Sequence, residues 1–557
     1  MKNKSFSIRD RAEQIETLTS QKFDIVIIGG GVTGAGIALD AASRGMKTCL
    51  IEKNDFASGT SNKSTKLIHG GLRYLKQLEI GLVRESGRER AIVHKLAPHL
   101  VIPEKMLLPL IEDGTYGKMM TSIGLRVYDF LADVEGDDRR KMLDKAETLK
   151  KEPLLDKTTI LGSGYYSEYR TDDARLTIEL LKKASEFGAT ILNYCEMRDF
   201  IYNTEGKLKT ISCIDHNSEE ILNIKSRNFV SATGPWVDKL REKDASKNKK
   251  HLHLTKGVHL VFPIEKFPLQ QSVYFDVADG RMIFAIPRGR ATYVGTTDTD
   301  YFGNLERVVT TKADVHYLLD AVNDAFTEIH LVEKDIESNW AGLRPLIHEE
   351  KKDPSELSRK DEIFISKSGL ISIAGGKLTG YRKMAHRAID AVLNTMTYKQ
   401  VVKLKESQTE KITLTSNPMT SNKEVKKYRK KLYLRLQKAG IENDYFAWYL
   451  TSNYGKQADE IVGKMPFFKN KNAEARLIRA ELWYGIHFEM INSLSDFFVR
   501  RTGRLYFNIS SVLKFETLII KDCIQYLDWD ANRVKKEEDI LSILIKDATY
   551  FYDKELD

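Results

Sequence analysis

Gly29, Gly31 and Gly34 stand in G-x-G-x-x-G register, with the β-branched run Phe23–Ile28 before them and the small-residue stretch Thr33–Arg44 after them. A strand, a tight turn and a helix in that order form a cradle for a dinucleotide pyrophosphate. The first glycine permits the turn, the second lets backbone approach the phosphates, and the third lets helix and strand pack closely. The helix N-terminus, which includes Thr33, adds N–H donors and a partial positive charge. Glu52 ends the next strand-like run, Lys47–Ile51, where a carboxylate accepts hydrogen bonds from an adenosine ribose and disfavours a 2′-phosphate; Lys53 follows it directly. A second chemical cluster is His69-Gly-Gly-Leu-Arg73-Tyr74, a base, a cation and a phenol within six residues. Its imidazole titrates near neutrality and suits proton abstraction. Thr296-Thr-Asp-Thr-Asp300 has two aspartates at i, i+2 but no glycine-containing loop ending in Glu, so it is read as structural or substrate-lining, and no metal site is expected.

The fingerprint alone does not separate FAD from NAD. Its place near the start of a 557-residue chain favours FAD. So do two later strand-and-glycine returns, Phe229–Trp236 and Ser372–Thr379, which suit a long dinucleotide laid across one sheet. Ala232, Gly234 and Trp236 in the first return, and Gly375, Gly376, Leu378 and Thr379 in the second, join the expected cofactor set. Ser58, Thr60 and Ser61, with Ser64 and Lys66, are read as lining the pyrophosphate and flavin side; plain loop filler is the other reading. Lys377 lies in a Gly-Gly-Lys turn before a helix, either beside the flavin N1–C2=O edge, where positive charge stabilises the reduced ring, or on substrate.

The elements that must position these groups follow from patterning. Helices are expected near 80–96, 172–187 and 380–393, and a hairpin over 281–297 around Arg288-Gly-Arg290. Short strands are expected at 189–197, 207–214, 220–226, 228–233 and 369–374, and helical periodicity dominates after 423. The composition, 42% apolar and 30% charged, is that of a globular protein with a large core and excludes disordered and disulfide-scaffold classes. Four scattered cysteines without a CxxC pair argue against a zinc ribbon or a cluster of iron and sulfur, and fit a reducing cytosol. The net charge of +9 is concentrated in residues 401–440, which hold 11 Lys/Arg against 3 Asp/Glu. That segment reads as a solvated helix face or as a patch for anionic phospholipid, in preference to nucleic acid. The aromatics at 425–435 and 482–505 read as core-facing or as part of an interfacial helix.

Five runs in this order carry a family resemblance: Gly29–Gly36, Ser64–Tyr74, Ala232–Trp236, Ala341–Leu346 and Gly375–Thr379. Together they resemble the FAD-dependent, quinone-linked glycerol-3-phosphate dehydrogenases. The resemblance implies an α/β (α+β) protein. In it, a Rossmann-like FAD-binding domain of the amino-acid-oxidase type is interleaved with an antiparallel substrate sheet, and an all-α C-terminal domain follows. The expected division is 1–400 and 401–557, with FAD-binding segments at about 21–100, 189–260 and 341–400 and substrate-cap segments at about 101–188 and 261–340.

The resemblance further implies non-covalent FAD, hydride transfer from C2 of sn-glycerol 3-phosphate, and electron delivery to a membrane quinone. The protein would sit in the cytoplasm against the inner face of the membrane, without nucleic acid and with a homodimer as one assembly. His69 becomes the catalytic base, or a residue that packs on the flavin. Arg73 holds the alkoxide or the phosphate with Tyr74 beside it, Arg344 binds phosphate with Arg359 as a second ligand, and Lys377 is catalytic or substrate-binding. Two other readings stand: an oxidase on the same scaffold releasing hydrogen peroxide, and a non-catalytic flavin-binding protein that holds an anionic partner.

Overall fold

The computed structural model describes residues 6–68, 80–111, 139–348 and 360–556. A sheet covered on both faces begins at Lys22–Ile28, whose Ile25, Val26 and Ile27 are wholly buried, as a parallel strand under helices requires. Thr48–Ile51 and Thr190–Leu192 extend it in parallel on one side. On the other side Ile221–Ser231 and Leu370–Gly375 are parallel, and Asp361–Ile365 closes the edge antiparallel. The two strands expected at 220–233 are one. The first half of Ile221–Ser231 pairs with an antiparallel hairpin, Cys195–Tyr202 and Leu208–Asp215, and its second half enters the parallel sheet.

The helix after the glycine turn, Val32–Ser43, is built from small residues because it is wedged between the helices Asp173–Glu186 and Tyr381–Leu393. A Cβ on Gly36 would lie 2.9 Å from the Tyr381 ring. Gly45 stops the helix at φ +94°, a conformation that side chains disfavour.

The second sheet is built on Leu252–Pro263 and Ser338–Ile347, antiparallel from Leu252 opposite Ile347 to Val261 opposite Ser338. The expected hairpin is present as Met282–Arg288 and Ala291–Gly295, and Ser272–Asp276, Ile102–Ile111 and Ile160–Arg170 continue the sheet. The division between sheets differs from the expected segments at two places. Leu252–Pro263 starts inside 189–260 yet belongs to the second sheet, because its backbone is matched to the strand from 338. Asp173–Glu186 lies within 101–188 yet covers the first sheet, because Leu176, Leu180, Leu181 and Ala184 join the core around Val32–Ser43.

Beyond residue 420 the described chain is helical, with Asn422–Lys438, Tyr445–Tyr454, Ala473–Phe488, Ile509–Leu527 and Ala531–Thr549 as its main helices. Phe497 and Phe498 are wholly buried, so this part of the aromatic stretch is core and not an interfacial surface. No helix among the described residues is long and apolar enough to cross a membrane.

Buried charge joins the helical half to the nucleotide sheet. A π-helical turn, Asp496–Arg501, aims two guanidinium groups at Asp55, in the loop just after Thr48–Ile51. Arg501 donates to both Asp55 oxygens at 2.7 and 2.8 Å, Arg500 donates through Nε, and Asn193 adds a bond at 3.3 Å. Nearby, Arg175 of Asp173–Glu186 makes two 2.7 Å bonds to Glu489. Burial by itself would raise the Asp55 carboxyl, but the two adjacent guanidinium charges pull it down to about 2. The folded-state value lies below that of the unfolded chain, so the pair contributes stability above about pH 4, and that contribution is lost as pH falls toward 2. Asp55→Ala would leave two buried cations uncompensated, and a loss of about 3–5 kcal/mol is expected in denaturant unfolding near neutrality. The difference from wild type should shrink below about pH 4.

Candidate functional site

A cleft of about 370 Å³ runs along the carboxyl ends of the parallel strands, where ligands of open α/β sheets bind. Its glycines are there for space. Gly29 has φ +115°, and a Cβ on it would lie 2.6 Å from the Ala232 carbonyl oxygen. A Cβ on Gly34 would lie 1.9 Å from the carbonyl oxygen of Gly29, so this glycine sets how closely helix and turn pack. Gly31 caps Val32–Ser43 without a side chain of its own, and Ser61 takes that part: its Oγ accepts the Val32 N–H at 2.9 Å. The Ser61 hydroxyl proton is thereby directed toward a second acceptor, as an anion at this helix end would be.

Glu52 also lines the cleft. One carboxylate oxygen accepts the Gly30 N–H at 2.6 Å and the other the Asn54 N–H at 3.0 Å. Burial raises its pKa above the ordinary carboxylate value, and those two N–H groups offset only part of that rise. Each oxygen keeps a lone pair for a hydroxyl donor. Thr60 donates to the Leu343 carbonyl at 2.7 Å and so ties this loop to the second sheet. At the rim, Lys53 lies 4.2 Å over the Trp236 ring, and both groups converge on Glu306, the lysine at 2.7 Å and the indole N–H at 2.7 Å. Glu306 was invisible in the sequence, since its partners lie 253 and 70 residues away. This donor set suits an adenine dinucleotide: a turn and helix end open to phosphate, and an acid placed for a ribose.

At the other end, Gly375 and Gly376 turn the chain with φ +74° and +83°, and a Cβ on Gly376 would strike the Met384 sulfur at 2.4 Å. Lys377, next in the chain, lines the cleft and donates to Ser86 Oγ at 3.2 Å. Arg344 sits on the strand Ser338–Ile347, one residue before Pro345, which lines the cleft. Its guanidinium donates to Thr296 Oγ1 at 2.7 Å, to the Thr297 carbonyl at 3.0 Å and to Asp298 at 3.1 Å. The Thr296–Asp300 run therefore holds an arginine in place. Gly257, on the neighbouring strand, leaves room for it, since a Cβ there would lie 2.4 Å from Arg344 Nη2.

Beside Arg344 lies an imidazole that no motif announced. His259 stacks on Trp340 at 4.6 Å and 11°, and its Nε2 is 3.0 Å from Thr65 Oγ1. Its Nδ1 is buried without a hydrogen-bond partner among the described residues. Burial first, then the charges of Arg344 and Lys66, hold its pKa well below the usual value, so the ring is neutral. In the sequence it is one histidine in an ordinary strand run, and only folding sets it against Gly295 and near Arg344.

The structure thus brings together around one cleft Gly29, Gly31, Thr33, Glu52, Lys53, Ser58, Thr60 and Ser61 from the first stretch, Ala232, Gly234 and Trp236 from the second, and Gly375, Gly376, Lys377 and Leu378 from the third. Gly34 and the buried Thr379 stand behind it. Ser64 and Lys66, expected on the cofactor, are instead engaged by Asp173: the Ser64 hydroxyl and the Lys66 ammonium each donate to it at 2.6 Å. A carboxylate wholly buried at a helix start needs those donors. His69, Arg73, Tyr74 and Arg359 lie outside the described residues.

Residues 24–382 match the family described as FAD dependent oxidoreductase, and residues 407–534 the family described as C-terminal domain of alpha-glycerophosphate oxidase. The aerobic glycerol-3-phosphate dehydrogenase of Bacillus subtilis (strain 168) is 48% identical over 552 residues, covering 98% of this chain and 99% of that protein. The enzyme of the same name from Staphylococcus aureus (strain MRSA252) is 47% identical over 537 residues, 96% of each chain. Among solved structures, the glycerol-3-phosphate dehydrogenase from Bacillus halodurans complexed with FAD superposes with a TM-score of 0.82 at 40% identity, covering 98% of this chain and 99% of its own. The L-alpha-glycerophosphate oxidase from Mycoplasma pneumoniae with FAD bound is alike in fold, with a TM-score of 0.54 at 19% identity, over 70% of this chain and 97% of its own.

Gly34→Ala should purify with little or no flavin, because its methyl group would have to displace the Gly29 carbonyl. The visible absorbance relative to protein, before and after incubation with FAD, checks this.

Proposed function

The chain belongs to the FAD-dependent glycerol-3-phosphate dehydrogenase family, and we propose that it oxidises sn-glycerol 3-phosphate to dihydroxyacetone phosphate and passes the electrons to a membrane quinone in glycerol catabolism. FAD is its cofactor. The reading is carried by one observation above all: next to a cleft shaped for FAD and lined by Lys377, the cation Arg344 is locked in place one residue before Pro345 of the cleft wall.

When bound, the flavin supplies the hydride acceptor. The chain's own groups do the rest. Arg344, pre-oriented by Thr296, Thr297 and Asp298, binds the substrate phosphate as a rigid fork. Loss of hydride from C2 requires removal of the C2 hydroxyl proton, and His69 is the base that its motif offers for it. Lys377 sets positive charge where the reacting end of the cleft becomes electron-rich. Arg73 on the alkoxide or phosphate, Tyr74 as its hydrogen-bond partner and Arg359 as a second phosphate ligand complete the reading from their motifs.

Support for the membrane as the site of action is the helix Asn422–Lys438. Tyr428, Leu432 and Leu436 are buried on one side of it, while Lys423, Lys426, Lys427, Lys430 and Lys431 are exposed. Such a face suits the anionic cytoplasmic leaflet. Replacing Lys426, Lys427, Lys430 and Lys431 by Gln should weaken sedimentation with anionic vesicles and leave turnover of a soluble quinone unchanged.

The test of the activity is anaerobic. Glycerol 3-phosphate should bleach the visible flavin band, and a soluble quinone should restore it rapidly while oxygen restores it slowly. Fast reoxidation by oxygen with peroxide release would make the protein an oxidase, and a flavin that never bleaches would refute the substrate. Arg344→Ala should retain flavin but raise KM for glycerol 3-phosphate about 100-fold, as expected for loss of a charge-assisted, bidentate phosphate contact.

A further inference from the structure

The loop that holds Arg344 is itself held from behind by the end of the last helix, Ala531–Thr549, and the segment after it. Residues 296–312 carry Thr296 and Asp298 against Arg344 at one end and Glu306 in the dinucleotide cleft further on. Residues 547–556 grip that same stretch at the three places that follow. Asp547 accepts two bonds from Arg307, at 2.7 and 2.9 Å, with the Tyr552 hydroxyl 2.9 Å from the same guanidinium. Tyr552 forms a parallel backbone bridge with Thr311: the Lys312 N–H donates to its carbonyl at 2.8 Å, and its own N–H donates to Thr310 at 3.0 Å. The Asn304 N–H donates to the Leu556 carbonyl at 3.1 Å. Phe551 is buried in the core beneath the second sheet.

A further contact, on the neighbouring strand Leu252–Pro263, is a charge. Glu555 reaches the buried ammonium of Lys256, which also donates to Asp314 at 2.5 Å. Lys256 lies between Thr255, which pairs with Arg344, and Gly257, which leaves space for it. The Lys256 carbonyl accepts the Thr297 hydroxyl at 3.2 Å, and that hydroxyl in turn accepts the Val258 N–H at 3.1 Å. Thr297 then offers its carbonyl to Arg344. A continuous path of contacts therefore runs from Glu555 through Lys256 and Thr297 to the arginine.

We propose that residues 547–556 act as a clamp that positions Arg344 for the substrate phosphate, with Glu555 as its principal positioning residue through Lys256. The proposal rests on the reading above that Arg344 binds phosphate. Glu555 touches neither cleft nor substrate, so its effect would fall on substrate affinity and not on flavin binding. A guanidinium displaced by a fraction of an ångström loses phosphate affinity, while a bound substrate can still react.

Glu555→Gln in the full chain is the test, with hydrogen exchange and steady-state kinetics read together. The expected result is a KM for glycerol 3-phosphate raised about tenfold with kcat and flavin content little changed, partial recovery in Glu555→Asp, and faster amide exchange over 296–312. An unchanged KM with unchanged exchange would overturn the clamp. So would a parallel fall of kcat, flavin content and melting temperature, which would mark Glu555 as merely structural. Deletion of 550–557 risks misfolding through loss of Phe551, which is why the single substitution carries the test. If wild type is not bleached by glycerol 3-phosphate, the substrate reading fails on its own, while exchange over 296–312 still reports on the clamp.

Discussion

Asp55 is a fully buried carboxylate three residues beyond Glu52, and its charge is met by Arg500 and Arg501, nearly 450 residues further along the chain. A buried carboxylate left alone would protonate or expel its loop toward water. The loop cannot leave: Ala57 bonds to the Gly30 carbonyl at 3.0 Å, and Thr60 and Ser61 reach Leu343 and Val32. The helical half therefore does more than sit beside the nucleotide sheet. It supplies the counter-charge that lets the nucleotide loop keep its shape, and Glu489 repeats the device on Arg175 of the helix packed beneath. The two guanidinium groups come from a π-helical turn, a rare backbone form that often marks places where side chains must be re-aimed.

Around that fixed loop the cleft is made mostly of backbone. Gly29, Gly34, Gly375 and Gly376 each occupy a place where a Cβ would meet a neighbour at 2.6 Å or less. Three stretches far apart in sequence can thus bring main-chain N–H groups close to one extended ligand. The cations beside the cleft follow the opposite strategy and are held rigidly by their side chains: Arg344 by Thr296, Thr297 and Asp298, and Lys66 by Asp173 and the Asn62 carbonyl. Fixing these side chains before substrate arrives reduces the ordering that binding would otherwise require.

What was legible in the sequence was what is locally determined. The strand, glycine turn and helix at 23–44 were readable because steric need and hydrophobic run lie within about 20 residues, and the Arg288-Gly-Arg290 hairpin was readable for the same reason. Lys66 and Ser64 looked like cofactor ligands because they stand in a loop of donors; nothing nearby announced that Asp173 would engage both. His259, Glu306 and Asp55 carried no local signal at all, since each is defined by partners brought from other strands or from the helical half. The division into sheet segments was blurred for a related reason: the strand Leu252–Pro263 would fit in either sheet and the helix Asp173–Glu186 against either, and only their partners decide.

The central claim is that hydrogen leaves C2 of glycerol 3-phosphate as hydride to the flavin while a group of this chain takes the hydroxyl proton. The most direct measurement is the anaerobic single-turnover rate of flavin bleaching with glycerol 3-phosphate carrying deuterium at C2, compared with the unlabelled compound. A several-fold slower bleaching with the deuterated substrate is predicted, with the same final extent. Bleaching at an equal rate at saturating substrate, or no bleaching with either compound, would contradict the account.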